Sequence, residues 1–400
     1  MKNSNILVSG ASIAGLTLAF WLHRYGFKVT VVERCAELRL GGQNIDVKGS
    51  AWEIMKMMGL EHDIKQANTT EIGLRFVDKK NNTLAEFPKE DALSMTQEME
   101  ILRGDFVKIL YEKVKENVAF RFGERIEGIE ERNDKVNIAF SNGESACFDL
   151  VIIAEGIGSS TREKVFGTAV TFRYLGLYTS YFTAARKPSD NQWARWHNAP
   201  GGIVFLIRPD NHGGTRVCIN FRSKEQGFEK LSIQDQKEIL LQRIKKVGWE
   251  APRLKKAIQE SEDFYMERLS QVLVSKWSKG RVAMIGDAAY CVTPIGGKGT
   301  DLAVAGAYII AGELSKKANY QHAFESFENQ LRPFVEKVQK LPPGVPRLVY
   351  PNSATGVNIL NTLFSIAGSR PAKYLMNLFG DDKKAPQKDL ELRSYSGEQL

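Results

Sequence analysis

The residues with the clearest chemical signature form a glycine-containing turn near the amino terminus, residues 10–15 (Gly-Ala-Ser-Ile-Ala-Gly). The turn follows the apolar residues 5–9 and precedes a helical pattern, and Glu33 ends the next strand-like segment. A dinucleotide fingerprint places G-x-G-x-x-G between strand and helix, with an acid about 20 residues further on. The helix amino terminus directs its N–H groups at a pyrophosphate, and the acid accepts hydrogen bonds from ribose hydroxyls. The pattern predicts nucleotide binding, with Ser12 in place of the second glycine.

A second acidic turn lies in the carboxyl-terminal half. The apolar residues 282–285 run into Gly286 and Asp287, and the glycine-rich residues 294–301 then precede an apolar helical pattern at 302–314. An acid that follows a parallel strand lies at the sheet edge where ligands bind in open α/β folds, and the loop offers backbone N–H donors. The same pattern is also typical of a structural β–loop–α corner.

A third turn follows another buried strand pattern. Residues 150–154 are apolar, Glu155 and Gly156 follow them, and Arg162 lies on the next helical segment. Taken alone, this pattern is compatible with one more strand of the sheet and a solvated arginine.

The periodicity of apolar residues predicts the elements that position these turns. Residues 5–33 predict a βαβ unit whose parallel strands are buried on both faces. Residues 171–225 alternate aromatic or branched residues with polar ones between turns, which predicts an antiparallel sheet, and short strands are predicted within 72–98. Helices are predicted at 46–60, 103–118, 232–260, 302–314, 355–367 and 371–379.

Composition bounds the class of protein. The 400 residues suggest two or three domains, and 43% hydrophobic with 26% charged residues is ordinary for a globular chain. The net charge of +8 favours an anionic partner, which could be a phosphorylated cofactor, a nucleic acid or a membrane. The four cysteines form no C-x-x-C pair, and the first residues lack a secretory pattern. We therefore expect a reduced, cytoplasmic protein without stable membrane insertion.

Together the three turns resemble the class A flavoprotein monooxygenases, the para-hydroxybenzoate hydroxylase-like family. That family has a GxGxxG turn, a D-G motif after a mid-chain strand, and a G-D motif followed by P-x-x-G-x-G. The order and spacing agree over about residues 5–315. Within the family the chain looks most like the tetracycline-inactivating monooxygenases, because residues 39–46, 48–50 and 103–105 resemble theirs. Hydroxylases of aromatic polyketides share much of this pattern and remain an alternative.

The resemblance implies a fold of the α/β and α+β classes. A Rossmann-like FAD-binding domain would carry an inserted antiparallel-sheet substrate domain and a C-terminal bridging helix. The implied ranges are 1–71, 99–170 and 270–318 for FAD, 72–98 and 171–269 for substrate, and 319–400 for the C-terminal helical segment. The implied cofactors are resident, non-covalent FAD, transient NADPH and O2, which place one oxygen atom on a polycyclic or phenolic substrate, a tetracycline among them. Since FAD and O2 carry out this chemistry, no catalytic side chain and no metal are expected.

The resemblance also implies roles for single residues. Arg39 is the candidate for NADPH. Independently of the resemblance, Arg216, Phe221 and Pro294 are candidates for the substrate, although Arg216 could equally be an exposed arginine of the sheet. The residues expected to bind FAD are Gly10, Ser12, Ile13, Ala14, Gly15, Glu33, Arg34, Asp46, Arg103, Asp287, Gly297, Gly299 and Thr300.

Several positions depart from the family pattern. Glu155 replaces the usual Asp of the D-G motif, and Tyr290 stands where many members have His. Lys298 and Asp301 stand where Gln and Asn are usual. Lys298 would either stabilise the reduced, anionic flavin or point to solvent.

Two other classes of function are weighed against this interpretation. A flavin oxidase or reductase would share the cofactor motifs and lack oxygen transfer. A binder of nucleic acid or an anionic membrane would use the basic residues 243–256, but such a run is usually a solvated face, and no nucleic-acid motif accompanies it. We expect a small-molecule substrate, no nucleic-acid partner and, from the resemblance, a monomer.

Overall fold

The computed structural model describes residues 4–89, 99–341, 344–369 and 390–395. The helix predicted at 371–379 and residues 90–98 of the predicted substrate domain lie outside the described residues. The strands are β1 (Asn5–Ser9), β2 (Lys28–Glu33), β3 (Asn44–Asp46), β4 (Gly73–Val77), β5 (Thr83–Pro88), β6 (Glu100–Leu102), β7 (Ala119–Phe122), β8 (Ile126–Arg132), β9 (Lys135–Phe140), β10 (Ser145–Phe148), β11 (Leu150–Ile153), β12 (Val170–Ala185), β13 (Trp193–Ala199), β14 (Ile203–Pro209), β15 (Gly214–Arg222), β16 (Tyr265–Val274), β17 (Ser278–Lys279) and β18 (Val282–Met284).

The helices include one near each predicted helical segment that lies in the described ranges. The predicted helix at 232–260 is two helices, because Gly248 and Pro252 interrupt the helical hydrogen bonding between them. The bounds are α1 (Ile13–Arg24), α2 (Gly49–Met57), α3 (Glu61–Gln66), α4 (Arg103–Val114), α5 (Ser160–Phe166), α6 (Ile233–Arg243), α7 (Ala251–Glu260), α8 (Asp287–Tyr290), α9 (Gly299–Lys316), α10 (Tyr320–Gln339), α11 (Val345–Val349) and α12 (Ala354–Ala367).

A six-stranded sheet of order β17-β18-β11-β1-β2-β7 organises one half of the molecule. All its pairs are parallel except β17–β18, and its central strands are buried on both faces, with α1 packed against α4 and α9. Because parallel strands end at the same edge, β1, β11 and β18 bring the three acidic or glycine turns of the sequence together.

A seven-stranded sheet of order β16-β12-β15-β14-β13-β4-β5 organises the other half. The strands within residues 170–222 pair antiparallel, as predicted, whereas β4 and β13 pair in parallel, so the full sheet is mixed. The strands β4 and β5 come from a separate segment of the chain and reach the sheet only through tertiary pairing. Of the predicted segment 72–98, the described strands Gly73–Val77 and Thr83–Pro88 join the sheet of the middle region.

The two faces of the seven-stranded sheet have different neighbours. One face packs against α6 and α7 through apolar residues such as Phe205, Phe221, Leu240 and Leu254. The other face is turned toward the six-stranded half, where Arg39 lies over the ring of Tyr265 at 5.8 Å from its centroid. We call this second face the inner face.

The C-terminal helices connect the two halves. Gln339, at the end of α10, donates to the carbonyls of Val272 at 2.9 Å and Cys291 at 3.2 Å. Phe364 of α12 stacks on Phe76 of β4 with centroids 3.9 Å apart, as expected for a docked helix. Ile359 and Leu363 of the same helix are exposed, because Val357 and Phe364 occupy the inward side.

The remaining described elements complete the fold. Residues 390–395 return to α9 and α10, where Tyr395 is fully buried and its hydroxyl donates to Glu313 Oε1 at 2.9 Å. Within the described ranges, no helix combines the length and the apolar composition needed to cross a membrane.

Candidate cofactor and substrate site

The first glycine turn allows a close approach of strand and helix. Gly10 has φ +112°, and a Cβ there would lie 2.5 Å from the carbonyl oxygen of Ala154. A Cβ on Gly15 would overlap the Gly10 carbonyl, so α1 can start against β1 only with glycine at both positions. Ser12 is the extended N-cap residue of α1, and its side chain makes no capping hydrogen bond. The amino terminus of α1 therefore faces the sheet edge. Its first turn contains no acidic residue, so the positive end of the helix dipole is not neutralised there.

Glu33 and Arg34 follow the second strand beside this turn. The Glu33 carboxylate accepts from the backbone N–H of Ala11 at 2.9 Å and of Cys35 at 3.1 Å. Each oxygen keeps further acceptor capacity, as recognition of a ribose hydroxyl requires. Arg34 is exposed next to it.

Arg103 is held over the amino terminus of α1. It opens α4, and its Nη2 donates to Ser12 Oγ at 2.7 Å, while Nη1 donates to the carbonyls of Arg39 and Gly41 at 3.1 Å each. Ser12, the departure from the glycine fingerprint, thus orients a cation beside the helix dipole. Burial lowers the pKa of Arg103, but an arginine stays charged at any physiological pH.

Asp287, at the start of α8 just after β18, borders a solvent-accessible space that we call the cavity. Its side chain is accessible to solvent, but protein atoms lie around it on most sides. The side chains of Glu267 and Tyr265 on β16 are likewise accessible and closely surrounded by protein. Burial raises the pKa of Asp287, and Arg103 opposes that rise by its charge. The cavity thus brings residues from β16, α4 and α8 together beneath the inner face.

The second glycine loop borders open space. Pro294–Gly296 forms one turn of 3-10 helix, Gly297 has φ +61°, and a Cβ on Gly297 or Gly299 would meet no atom within 4 Å. Thr293 also has a positive φ of 65°, and its buried Oγ1 has no hydrogen-bond partner among the described residues. Thr300 follows in the first turn of α9. An orphaned hydroxyl and open backbone beside a helix terminus fit the edge of a polar planar ring.

The side chain of Lys298 does not point to solvent, which was one of the two alternatives considered from the sequence. Its Nζ lies 3.1 Å from Asp301 Oδ2 in an ion pair that is mostly buried. Asp301 Oδ1 accepts from Ser50 Oγ at 2.5 Å and from the N–H of Ala51 at 2.9 Å. Asp301 therefore links the first turns of α9 and α2, because it belongs to α9 and its carboxylate accepts a hydrogen bond from a free N–H group in the first turn of α2.

Glu155 anchors the sheet edge. Its carboxylate accepts from the hydroxyls of Ser9 at 2.5 Å, Ser159 at 2.7 Å and Thr161 at 2.5 Å, and from the N–H of Thr161 at 3.1 Å. The longer side chain reaches all these donors and joins β1, β11 and α5. Arg162 is buried rather than solvated, and it donates to the carbonyls of Ile157 at 2.6 Å and Ala288 at 3.2 Å.

Asp46 lies beside a buried ionic network that the sequence pattern did not reveal. Asp46 pairs in register with Glu100, and Lys48 Nζ lies 3.2 Å from its Oδ2. Arg208 of β14 contacts Glu71 at 3.0 Å and Glu100 at 2.6 Å. Burial raises the pKa of Glu100 to about 8, and the Glu71 carboxylate adds to the rise while Arg208 opposes it. The network fastens the inner face to the strand that carries Asp46.

The inner face carries a polar patch that no sequence motif indicates. Residues that pair across strands share a face, and the register pairs Thr179 with Asn220 and Glu267, and Tyr181 with Cys218 and Tyr265. We call these six residues the polar patch.

The next strands change the character of the inner face. Leu206 pairs with Cys218 and Trp196, and Trp196 pairs with Phe76. Ile295 of the glycine loop and Phe364 of α12 pack against this apolar end. The inner face thus runs from polar to aromatic across six strands, which suits a ligand with one oxygen-rich and one hydrocarbon edge.

Two of the predicted substrate residues already contact other side chains of the protein. Phe221 lies on the helix-covered face, fully buried, with its ring centroid 5.6 Å from that of Tyr178, so we reassign it to the core. Arg216 is on the inner face, but Asp210 at 2.8 Å and Asp263 at 3.5 Å neutralise it. Pro294 is exposed at the start of the second glycine loop.

Comparisons with known proteins agree with this geometry. A family model described as FAD binding domain matches residues 3–341. The flavin-dependent monooxygenase eupH of Phoma sp is 36% identical to this chain, and the alignment covers 99% of each chain. A flavin-dependent monooxygenase of Legionella longbeachae is 36% identical over 85% of this chain and 88% of its own. The crystal structure of tetracycline destructase Tet(51) matches with a TM-score of 0.81 at 32% identity, covering 99% of this chain and 100% of that chain.

These matches confirm the family and the fold class predicted from the sequence. The matched region contains every turn that borders the cavity, and a diphosphate and planar ring fit the helix terminus, the cation and the open loop found there. The chain belongs to the FAD-binding family of class A flavin-dependent monooxygenases.

Proposed function

We propose that this protein uses NADPH and FAD to insert one oxygen atom from O2 into a polycyclic or phenolic substrate, with a tetracycline as the first compound to test. The observation that carries the substrate class is the inner face, where the polar patch adjoins Leu206, Trp196 and Phe76. In this proposal the six-stranded half binds FAD and the seven-stranded sheet binds substrate. The family resemblance supports a monomer acting in the cytoplasm.

The residues around the cavity would hold FAD in three parts. The amino terminus of α1 and Arg103 suit the diphosphate, and Glu33 suits the adenosine ribose. Asp287 and the loop of residues 293–299 suit the ribityl chain and the ring. When bound, FAD supplies two-electron redox chemistry and the reaction with O2.

The chain's own contribution is to bind, orient and exclude water. Ile295 and Phe364 pack over the apolar end of the inner face, which limits the access of water to that end. Tyr181 lies at the border of the polar patch and is partly accessible, so its hydroxyl can donate to a substrate oxygen. Together these contacts would present one edge of the substrate to the cofactor.

Arg39 supports the use of a phosphorylated nicotinamide cofactor. Its side chain is exposed, and its guanidinium lies over Tyr265 at the cavity. An exposed arginine on an aromatic surface is ready to pair with phosphate. We expect Arg39→Ala to raise the KM for NADPH by about tenfold and to change the KM for NADH much less.

The test is the rate of NADPH oxidation by the FAD-loaded protein with a panel of compounds. The panel includes a tetracycline, a polycyclic phenol and a single-ring phenol, each measured with hydrogen peroxide production. A polycyclic compound should accelerate NADPH oxidation at least about tenfold without a matching rise in peroxide. If every compound leaves the rate unchanged and peroxide equals the NADPH consumed, the protein is an oxidase and the proposal is wrong.

A further inference from the structure

Glu267 is an acidic residue inside the cofactor cavity for which no motif assigns a role. It lies on β16, opposite Thr179, with its side chain on the inner face. The hydroxyl of Tyr265 donates to its Oε2 at 3.0 Å. In the part of the chain that the structure describes, no lysine, arginine or histidine lies within ion-pair distance of its carboxylate. A carboxyl group therefore borders the cavity without a direct cationic partner.

The groups that face Glu267 come from every element packed around it. Tyr265 shares its strand, and Tyr181 and Cys218 face it from β12 and β15. The remaining groups are two acidic ones, Asp287 and the Cys291 thiol beside α8, and two cations, Arg39 and Arg103. Of the two cations, Arg103 is the one that the FAD diphosphate would engage.

We propose that Glu267 carries the proton that is taken up when the FAD diphosphate enters the cavity, so that its carboxyl group is neutral in the loaded enzyme. The diphosphate adds negative charge to a cavity that already holds Asp287. It also pairs with Arg103, and so removes part of the positive charge that favours the Glu267 carboxylate. This inference rests on FAD binding alone and is independent of the reductant and substrate.

The sign of the effect follows from linkage. Burial raises the pKa of Glu267 to about 7 in the cofactor-free protein, and Asp287 adds to the rise while Tyr265, Arg39 and Arg103 oppose it. The bound diphosphate raises this pKa further. Below pH 7 the group is neutral in both states, and above pH 7 binding must take up a proton. The affinity for FAD should therefore fall with rising pH, by up to about tenfold per pH unit.

The experiment measures the dissociation constant of FAD for the full-length apoprotein between pH 6 and pH 9, by quenching of flavin fluorescence. Wild type should bind progressively more weakly above pH 7. Glu267→Gln should give a nearly flat profile and bind FAD about tenfold or more tightly than wild type at pH 9. Glu260→Gln, an exposed acid on α7, is the matched control and should keep the wild-type profile.

The outcomes that would overturn the inference are distinct from failure of the proposed function. A Glu267→Gln profile as steep as that of wild type would assign the proton to another group, such as Asp287. If that variant does not fold, calorimetry of wild type at pH 8 in two buffers of different ionisation enthalpy decides instead. We expect uptake of up to about one proton per FAD, and no uptake would contradict the inference. Loss of substrate oxidation with normal FAD binding would concern only the proposed function.

Discussion

The glycine turn at the start of α1 and the polar patch of the inner face are built in different ways. The first uses backbone N–H groups of a turn of six consecutive residues, with no room for a Cβ at Gly10. The second uses side chains from β12, β15 and β16, which meet only through strand register. Binding through backbone is thus encoded locally, whereas binding through side chains depends on the tertiary pairing of distant segments.

The largest effect is expected for a substitution in the glycine turn that precedes α1. Gly10→Ala should weaken FAD binding by at least about 100-fold, because the φ of +112° is strained for alanine by about 1–3 kcal/mol and the new Cβ strikes Ala154. Titration with FAD measures it. Gly158→Ala is the control, since a Cβ there meets nothing within 4 Å and its φ is not in the left-handed region. Stoichiometric FAD in purified Gly10→Ala would refute the close-approach argument.

A smaller loss is expected when only the cation is removed. Arg103→Ala should weaken FAD binding by about 10–100-fold, the size of one or two charge-assisted hydrogen bonds. Arg132→Ala, which removes an exposed arginine paired with Glu130, should leave the affinity unchanged. Equal affinities for the two variants in the same titration would show that Arg103 does not contact the diphosphate.

Substitution of Glu155 tests whether this residue stabilises the fold or contacts the cofactor. Glu155→Gln should lower the free energy of unfolding by about 1–3 kcal/mol, since one amide oxygen replaces a carboxylate that accepts from three hydroxyls and an N–H. FAD affinity should change less than about threefold. Denaturant unfolding and FAD titration measure the two quantities. A large loss of affinity without loss of stability would show instead that Glu155 contacts the cofactor.

The smallest effect is expected on the inner face. Tyr181→Phe should raise the KM for an oxygenated substrate by about 3–10-fold, the worth of one hydrogen bond, and leave FAD affinity unchanged. Phe221→Leu should lower stability by about 1 kcal/mol and leave the KM unchanged, because Phe221 lies on the opposite face. Steady-state kinetics and thermal unfolding distinguish them, and the reverse pattern would contradict the assignment of the two faces.

Local sequence patterns were sufficient for the cofactor half. Strand, glycine turn, helix and Glu33 stand in sequence order within about thirty residues, so the βαβ unit and its ligand class were predictable. The partner of Ser12 was not, because Arg103 reaches it from α4, far along the chain. The ion pair of Lys298 with Asp301 was missed for a similar reason, since Asp301 is fixed by Ser50 on another helix.

The substrate side could be predicted only in outline. Alternation indicated strands around residues 178–183 and 216–221, but it did not show which face would be covered by α6 and α7. A shift of one residue in register would exchange Phe221 with Asn220 at the cavity. The parallel pairing of β4 with β13 and the orphaned hydroxyl of Thr293 have no signal in local sequence.

The central claim is that the cavity directs one atom of O2 onto the substrate bound at the inner face. The most direct measurement is the mass of the product formed by the FAD-loaded protein with NADPH, isotopically labelled O2 and the compound that most accelerates NADPH oxidation. We predict a product that gains one labelled oxygen atom, in amounts close to the NADPH consumed. An unlabelled product, or unchanged compound with hydrogen peroxide equal to the NADPH consumed, would contradict the account.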